Sequence, residues 1–410
     1  MSTFGWNLVA QGLMSLGQLV VGTAGALLLA PDSWGELAVV LAVHHTVVAT
    51  VRGATQPVLT WFAGDEESVR PLRRPGTALQ LALAAPGATV VGLVAGLLLS
   101  PGAAVGAVAA TVTAALWDAN RTMELAAHHP RRAALADAAY LATVSLAVPV
   151  VAALDTGRPI ALTTALAVAA AAAAALLLLT SRGGQASTLT AYLRTLGRDV
   201  PWMCLDGLLV TAASTSLVVV AAAAAGDAAA GVLRTSTTLF AGPVQMLLVA
   251  TTPSLLRILR EQAAVAAAAP ATDRRLRSLR HPLALTVGAV GTAATVGAVT
   301  AGVGAPLAAA WGLAPIEEPA RIALAPTALA GVLWSASMTG ASMRYRRRWP
   351  ELLAVRALTS ALAVGALVVA LEHGAALGTA VLWAAVPWAV LPLAHAGLRW
   401  RPVHPDVTGR

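Results

Sequence analysis

Long apolar runs, each close to the length of a membrane-crossing helix, alternate along this chain with short stretches that carry its arginines or its carboxylates. A crossing helix needs about 20 mostly apolar residues. That ruler predicts about twelve helices, near 7–30, 35–62, 77–99, 103–123, 134–154, 160–180, 201–224, 229–256, 282–303, 322–343, 352–371 and 375–397. The third and fourth are separated only by Ser100-Pro101-Gly102, and the fifth and sixth by Asp155 to Pro159, both short turns. The connection from Ser181 to Pro201 contains Leu189, Tyr192, Leu193 and Leu196 at helical spacing, with Arg194 and Arg198 opposite, which predicts an interfacial helix between two halves. The Pro-broken stretch from Gly304 to Arg321 reads as a re-entrant or surface segment. No connection is long enough for a folded soluble domain.

Composition narrows the class. The 410 residues are 58% hydrophobic and 11% charged, with a mean hydropathy of +0.74, too little polar surface for a water-soluble globule. The expected fold is all-α and integral to the membrane. All 27 basic residues are arginine, and they alternate in place with the acidic ones. One set of loops holds Arg70, Arg73 and Arg74, then Arg131 and Arg132, Arg194 and Arg198, the run from Arg257 to Arg280, Arg344 to Arg348 and the tail; the other holds Asp32, Asp155, Asp227, Glu317, Glu318 and Glu372. By the positive-inside rule this bias places both termini in the cytoplasm and requires an even helix count. The net charge of +8 then faces anionic lipid, so no nucleic-acid partner is expected. Cys204 is the single cysteine, which excludes an intramolecular disulfide and a thiolate metal site. No cofactor or metal is expected: the sequence has no Walker A motif and no His/Cys cluster, and His128-His129 sits in a basic loop. It has no Gly-x-Ser-x-Gly elbow either, and no enzyme activity is expected. The start, MSTFGWNLVAQ, lacks a basic n-region, so the first apolar segment is read as a permanent helix.

The segment Trp34 to Leu59 returns in altered form at Ala230 to Leu255. Gly35 precedes Pro57 by 22 positions, Gly231 precedes Pro253 by 22, and both prolines sit in Thr-x-Pro-x-Leu. A second echo pairs Ala153 to Gly157 with Ala370 to Gly374. The organisation predicted is a 6 + 6 parallel pseudo-repeat about an axis along the membrane normal, with a site between the lobes. The lobes span 1–180 and 201–398, joined by a cytoplasmic interfacial linker at 181–200 and followed by a basic tail at 399–410.

Three predicted helices carry a polar stripe. The first has Asn7, Gln11, Ser15 and Gln18; the second His45, Arg52 and Gln56; the eighth Arg234, Thr238 and Gln245. Lipid cannot satisfy these groups, so the stripes should face protein or a water-filled cavity. Interhelical hydrogen bonding is the competing role for each Gln and Asn. His44 and His45 point about 100° apart, so only one of them can line a given cavity. By repeat register Arg52 and Arg234 lie about 21 Å apart in depth, near opposite leaflets. Asp206, Asp118 and Asp137 fall near cytoplasmic helix ends and are read as interfacial or ion-paired, Asp137 with Arg131 or Arg132. Asp206 and the histidines are the candidate coupling residues.

The opening NLVAQGLMSLGQLVVGTAGALLLAPDSWGELAVVLAV, with Trp34-Gly35, Asp206-Gly207-Leu208-Leu209, Ala230-Gly231, Leu239, Pro243 and Pro253, resembles the polysaccharide and oligosaccharidyl-lipid flippases of the multidrug/oligosaccharidyl-lipid/polysaccharide exporter (MOP) superfamily. The resemblance implies two lobes rocking around a cationic cavity. It also implies that Arg52 and Arg234 hold the diphosphate of a polyprenyl-linked glycan as it crosses a bacterial cytoplasmic membrane, the protein acting as a monomer. Two alternatives stand beside it: a cation-coupled multidrug or small-molecule exporter of the same fold, and a major-facilitator-type transporter. In either case the partners are an amphipathic substrate and membrane lipid.

Overall fold

The computed structural model describes residues 3–62, 64–154, 157–181, 187–238, 340, 343–344 and 347–399. The first lobe contains α1 (Thr3–Leu28), α2 (Pro31–Val51), a 3-10 turn (Arg52–Ala54), α3 (Gln56–Phe62), α4 (Glu66–Leu98), α5 (Pro101–Ala126), α6 (Pro130–Ala152) and α7 (Arg158–Thr180). The linker helix α8 (Leu189–Leu196) follows. The described part of the second lobe is α9 (Val200–Ala225), α10 (Asp227–Ser236), α11 (Trp349–Glu372) and α12 (Leu377–Arg399). Among the described residues eight helices are long and apolar enough to cross a membrane. Of the predicted segments, most of 229–256, all of 282–303 and most of 322–343 lie outside the described residues, as does the stretch Gly304 to Arg321.

Helix starts follow local chemistry. Pro31 opens α2 with Asp32 in its first turn, where a carboxylate complements the helix dipole. Asp65 caps α4, Ser100 caps α5 and Thr188 caps α8, each side chain accepting a backbone N–H three residues on. The two glycines of the second echo, Gly157 and Gly374, both have positive φ, 72° and 75°, but at different places: Gly374 follows the C-cap of α11, whereas Gly157 stands immediately before α7.

Two expectations are corrected. The second crossing segment is not one helix to Phe62: α2 ends at Val51, the chain tightens into the 3-10 turn, and a new helix starts at Gln56. Pro57 is the cause, since it has no N–H to give the carbonyl of Gly53 and its ring clashes there. The break is therefore set one turn upstream, and Pro57 falls at the start of α3, where proline is tolerated. Gln56 consequently leaves the stripe of His45 and Arg52. Second, Arg70, Arg73 and Arg74 ride on the first turns of α4 rather than on a loop. The linker stretch does form a helix: α8 buries Tyr192 and Leu196, while Leu189 and Leu193 are 44% and 43% exposed, so half of its apolar face is left free.

The first-lobe core runs through α1, α2 and α4–α7 and is rich in alanine, which lets helices approach closely. Helix α2 belongs to both lobes. Ala42 packs in a second core with Ala213, Leu217, Leu233, Leu367 and Trp388. Along this seam four glycines leave no space for a Cβ: Gly35 against the Asp227 carbonyl, Gly231 against the Trp34 ring, Gly207 against the Ala49 carbonyl and Gly53 against Cys204. Polar contacts stitch the same line. The Trp34 indole N–H lies 3.0 Å from both the Gly231 carbonyl and Thr235 Oγ1, and Thr215 Oγ1 donates to the Ala42 carbonyl at 3.0 Å. The duplicated glycines Gly35 and Gly231 thus meet each other across the lobe interface.

The linker is fastened to the first lobe. Tyr192 is buried and its hydroxyl donates to the Ala54 carbonyl in the 3-10 turn, while Ser187 donates from both its N–H and its hydroxyl to the Pro71 carbonyl at 3.0 Å. Burial, with Cys204 nearby, pushes the Tyr192 hydroxyl above its ordinary range, which keeps it a donor.

Candidate functional site

The predicted polar residues separate into balanced networks and one Arg–His pair at the lobe interface. At the end of α2, Arg52 grips Asp118 of α5, with Nη2 to Oδ1 at 2.6 Å and Nε 3.0 Å from both carboxylate oxygens. Gln80 of α4 donates to Asp118 Oδ2 and to the Ala115 carbonyl, both at 3.1 Å, and accepts from Thr55 at 2.7 Å. The charge of Arg52 is therefore matched inside the first lobe, although its side chain is 36% exposed.

A second network closes over Gln11. Arg121 of α5 binds Asp137 of α6 at 2.9 Å and donates through Nη2 to Gln11 Oε1 at 3.0 Å. Gln11 thus joins α1 to α5. Asp137 does not pair with Arg131 or Arg132 as expected, because its side chain is fully buried toward α5, while Arg131 lies over the Trp6 ring and Arg132 reaches Glu124. A third network holds Asp206 between two guanidiniums: Arg344 donates from Nε at 2.7 Å, and Arg356 Nε stands 3.4 Å away with its guanidinium over the Trp388 ring. A carboxylate so held is matched in charge by its own lobe.

Arg234 differs. It extends from α10 across the interface, and its Nη2 lies 3.3 Å and 3.5 Å from the two ring nitrogens of His45 on α2. Among the described residues no carboxylate lies within ion-pair distance of it, and Tyr140 of α6 is its other charge-sensitive neighbour. His44 turns away, edge-on to the His45 ring, with its Nδ1 2.9 Å from Thr111 Oγ1 on α5. Thr238 bonds back to the Arg234 carbonyl at 2.9 Å and packs near Gly22 of α1. Gln18 is half-buried, Gln56 is half-buried at the first position of α3, and Gln245 lies outside the described residues.

The structure therefore brings Arg234 and His45 together and leaves Arg52 seven positions further along α2, about 10 Å away by helix rise. The residues that sequence reasoning left without partners are Gln80, Arg121, Tyr140 and Arg356. The available signal was a polar or charged side chain inside an apolar run, as in VRALTSALAV around Arg356. Among the described residues no group of three metal-binding side chains occurs.

No protein-family model matches the chain, and no curated protein does. Solved structures do. A MATE transporter in complex with MaL6 superposes with a TM-score of 0.68 at 15% identity, over 96% of this chain and 95% of that one. An inward-facing multidrug resistance MATE family transporter of the MOP superfamily gives 0.65 at 14% identity, over 94% and 92%. A MOP superfamily transporter from Pyrococcus furiosus, described as having a binding pocket of reverse polarity, gives 0.65 at 16%, over 96% and 94%. At this identity the likeness speaks for architecture, and it favours this fold over the major-facilitator alternative. The chain has the fold of the MATE transporters of the MOP superfamily, twelve membrane-crossing helices in two lobes.

Proposed function

We propose that this protein is an alternating-access exporter of small amphipathic molecules in the cytoplasmic membrane; structures of the same fold are described as multidrug resistance transporters in inward-facing and outward-facing conformations. The observation that carries the reading is the fold likeness over nearly the whole chain, because a two-lobe bundle with one intimate seam along α2 is built to open at either face. The test is efflux of a fluorescent amphipathic dye from vesicles containing purified protein. Saturable efflux supports the reading, and leakage equal to that of empty vesicles overturns it.

A second reading, a flippase for an anionic lipid-linked saccharide, is favoured by Arg234. A guanidinium at a lobe interface, with no carboxylate partner among the described residues, repels cationic drugs and attracts phosphate oxygens. The described first helix, moreover, carries Asn7, Gln11 and Gln18 but no carboxylate that would bind a cation. In this reading Arg234 is the main anion contact, and Arg52 joins it only by exchanging Asp118 for cargo. Competition of dye efflux by a prenyl diphosphate, lost in Arg234→Ala, supports it; competition only by cationic amphipaths overturns it.

A further inference from the structure

Beyond the networks already balanced within each lobe, the described interior holds one titratable side chain pressed against an uncompensated guanidinium, His45. Its Nδ1 lies 2.6 Å from the Leu41 carbonyl of the preceding turn, an acceptor without a proton, so Nδ1 is the nitrogen that carries the hydrogen. The lone pair is then on Nε2, 3.5 Å from Arg234 Nη2, which also stands 3.3 Å from Nδ1 along the same ring edge. The neutral ring is the acceptor facing Arg234.

We propose that His45 is the proton-binding partner of Arg234, so that this site takes up an oxyanion and a proton together. The inference rests on the anionic-cargo reading above. A proton arriving at Nε2 makes His45 a second cation beside the guanidinium, and the two repel. An oxyanion placed against both groups offsets that repulsion and accepts a hydrogen bond from each. Anion and proton therefore each raise the affinity for the other, by reciprocal linkage.

The surroundings supply no competing carboxylate among the described residues. From α10 comes Arg234, from α6 the Tyr140 hydroxyl, and from α5 the neutral Thr111 on His44; α9 offers Thr215, bonded to Thr46 and the Ala42 carbonyl. On α2 itself the charged groups are Asp32 and Glu36, thirteen and nine positions earlier; Arg52, seven positions later in the 3-10 turn, is paired with Asp118. His44 cannot substitute, because its ring bonds to Thr111 and meets His45 only edge-on.

The test uses the purified full chain in lipid nanodiscs with inorganic sulfate as the probe, since sulfate keeps a fixed charge between about pH 5 and 8, the range in which histidine titrates. For the wild type, calorimetric affinity should rise as pH falls, by up to about tenfold per pH unit, the slope of one linked proton. His45→Gln should bind sulfate with no pH slope, and His44→Gln should keep the slope. Sulfate addition in weak buffer near neutral pH should also draw up to about one proton per wild-type molecule, a measurement that needs no variant. Arg234→Ala binding sulfate as the wild type does would overturn the anionic-cargo reading itself. If Arg234→Ala loses binding while His45→Gln retains the slope, only the assignment of the proton to His45 falls. No sulfate binding, or no proton uptake, by the wild type also overturns it.

Discussion

Replacing Gly53 by alanine puts a methyl group into the tightest part of the seam on the arginine-rich face. The added Cβ would stand 2.6 Å from both Cα and Sγ of Cys204 and closer still to its backbone nitrogen, where ordinary contact requires about 3.5–4 Å. The obstacle is main chain of α9, so rotamer changes cannot relieve it, and the helices must part by roughly 1 Å. Overpacking of this kind costs about 1–3 kcal/mol. The cost falls only on states in which this end of the seam is closed, and so shifts the population toward opening at this face by about 5- to 150-fold. Cys204 is the only cysteine in the chain and lies inside the seam, so its rate of reaction with a water-soluble maleimide reads the opening directly. Gly53→Ala should label faster by that factor. Gly35→Ala, which obstructs the other end of the seam at Asp227, should slow the labelling by favouring the state closed around Cys204. Folded Gly53→Ala protein labelling at the wild-type rate would refute the reasoning, as would both variants shifting in the same direction.

Other perturbations reach the buried networks. Asp137→Ala leaves Arg121 as an uncompensated charge, 8% exposed, and should cost about 3–5 kcal/mol, read as lost thermal stability in detergent; Arg121→Met with Asp137→Leu should recover most of it, because removing both partners also removes the desolvation cost. Tyr192→Phe strands the Ala54 carbonyl and should cost about 1–3 kcal/mol, seen as faster proteolysis of the linker. Because burial raises the Tyr192 hydroxyl, the unfolded chain loses that proton first as pH climbs past about 10; stability from this residue is complete below that pH and declines above it, which pH-dependent melting of wild type against Tyr192→Phe would show.

The lengths and order of the described helices were legible from hydrophobic runs, because a bilayer permits little else. So was the repeat, since Gly35 and Gly231 exist to let two helices touch and a contact of that kind tolerates no other residue type. The break at Arg52 was less legible, since proline acts on the turn before it and the sequence marks only the proline. Charge partners were the least legible. Arg121 lies 16 positions from Asp137 and 110 from Gln11, and only the packing of α1, α5 and α6 brings them into one cluster. Likewise nothing local to His45 announces Arg234, 189 positions away.

The seam also carries a trace of how the chain was assembled. Two identical half-chains related by a twofold axis would make an isologous contact there, each residue facing the same patch of its twin. The position equivalent to Trp34 is Ala230, each directly before its glycine, and both are buried. Two indoles could not share the axis with two close-packed glycines, whereas one indole and one methyl can. Once the halves were fused on one chain they could diverge: one kept or gained the bulky residue, and the other became the socket whose main chain now accepts its hydrogen bond. Exchanging the two, Trp34→Ala with Ala230→Trp, transposes plug and socket across the pseudo-symmetry axis, and a duplication-born interface should tolerate that exchange better than either change alone.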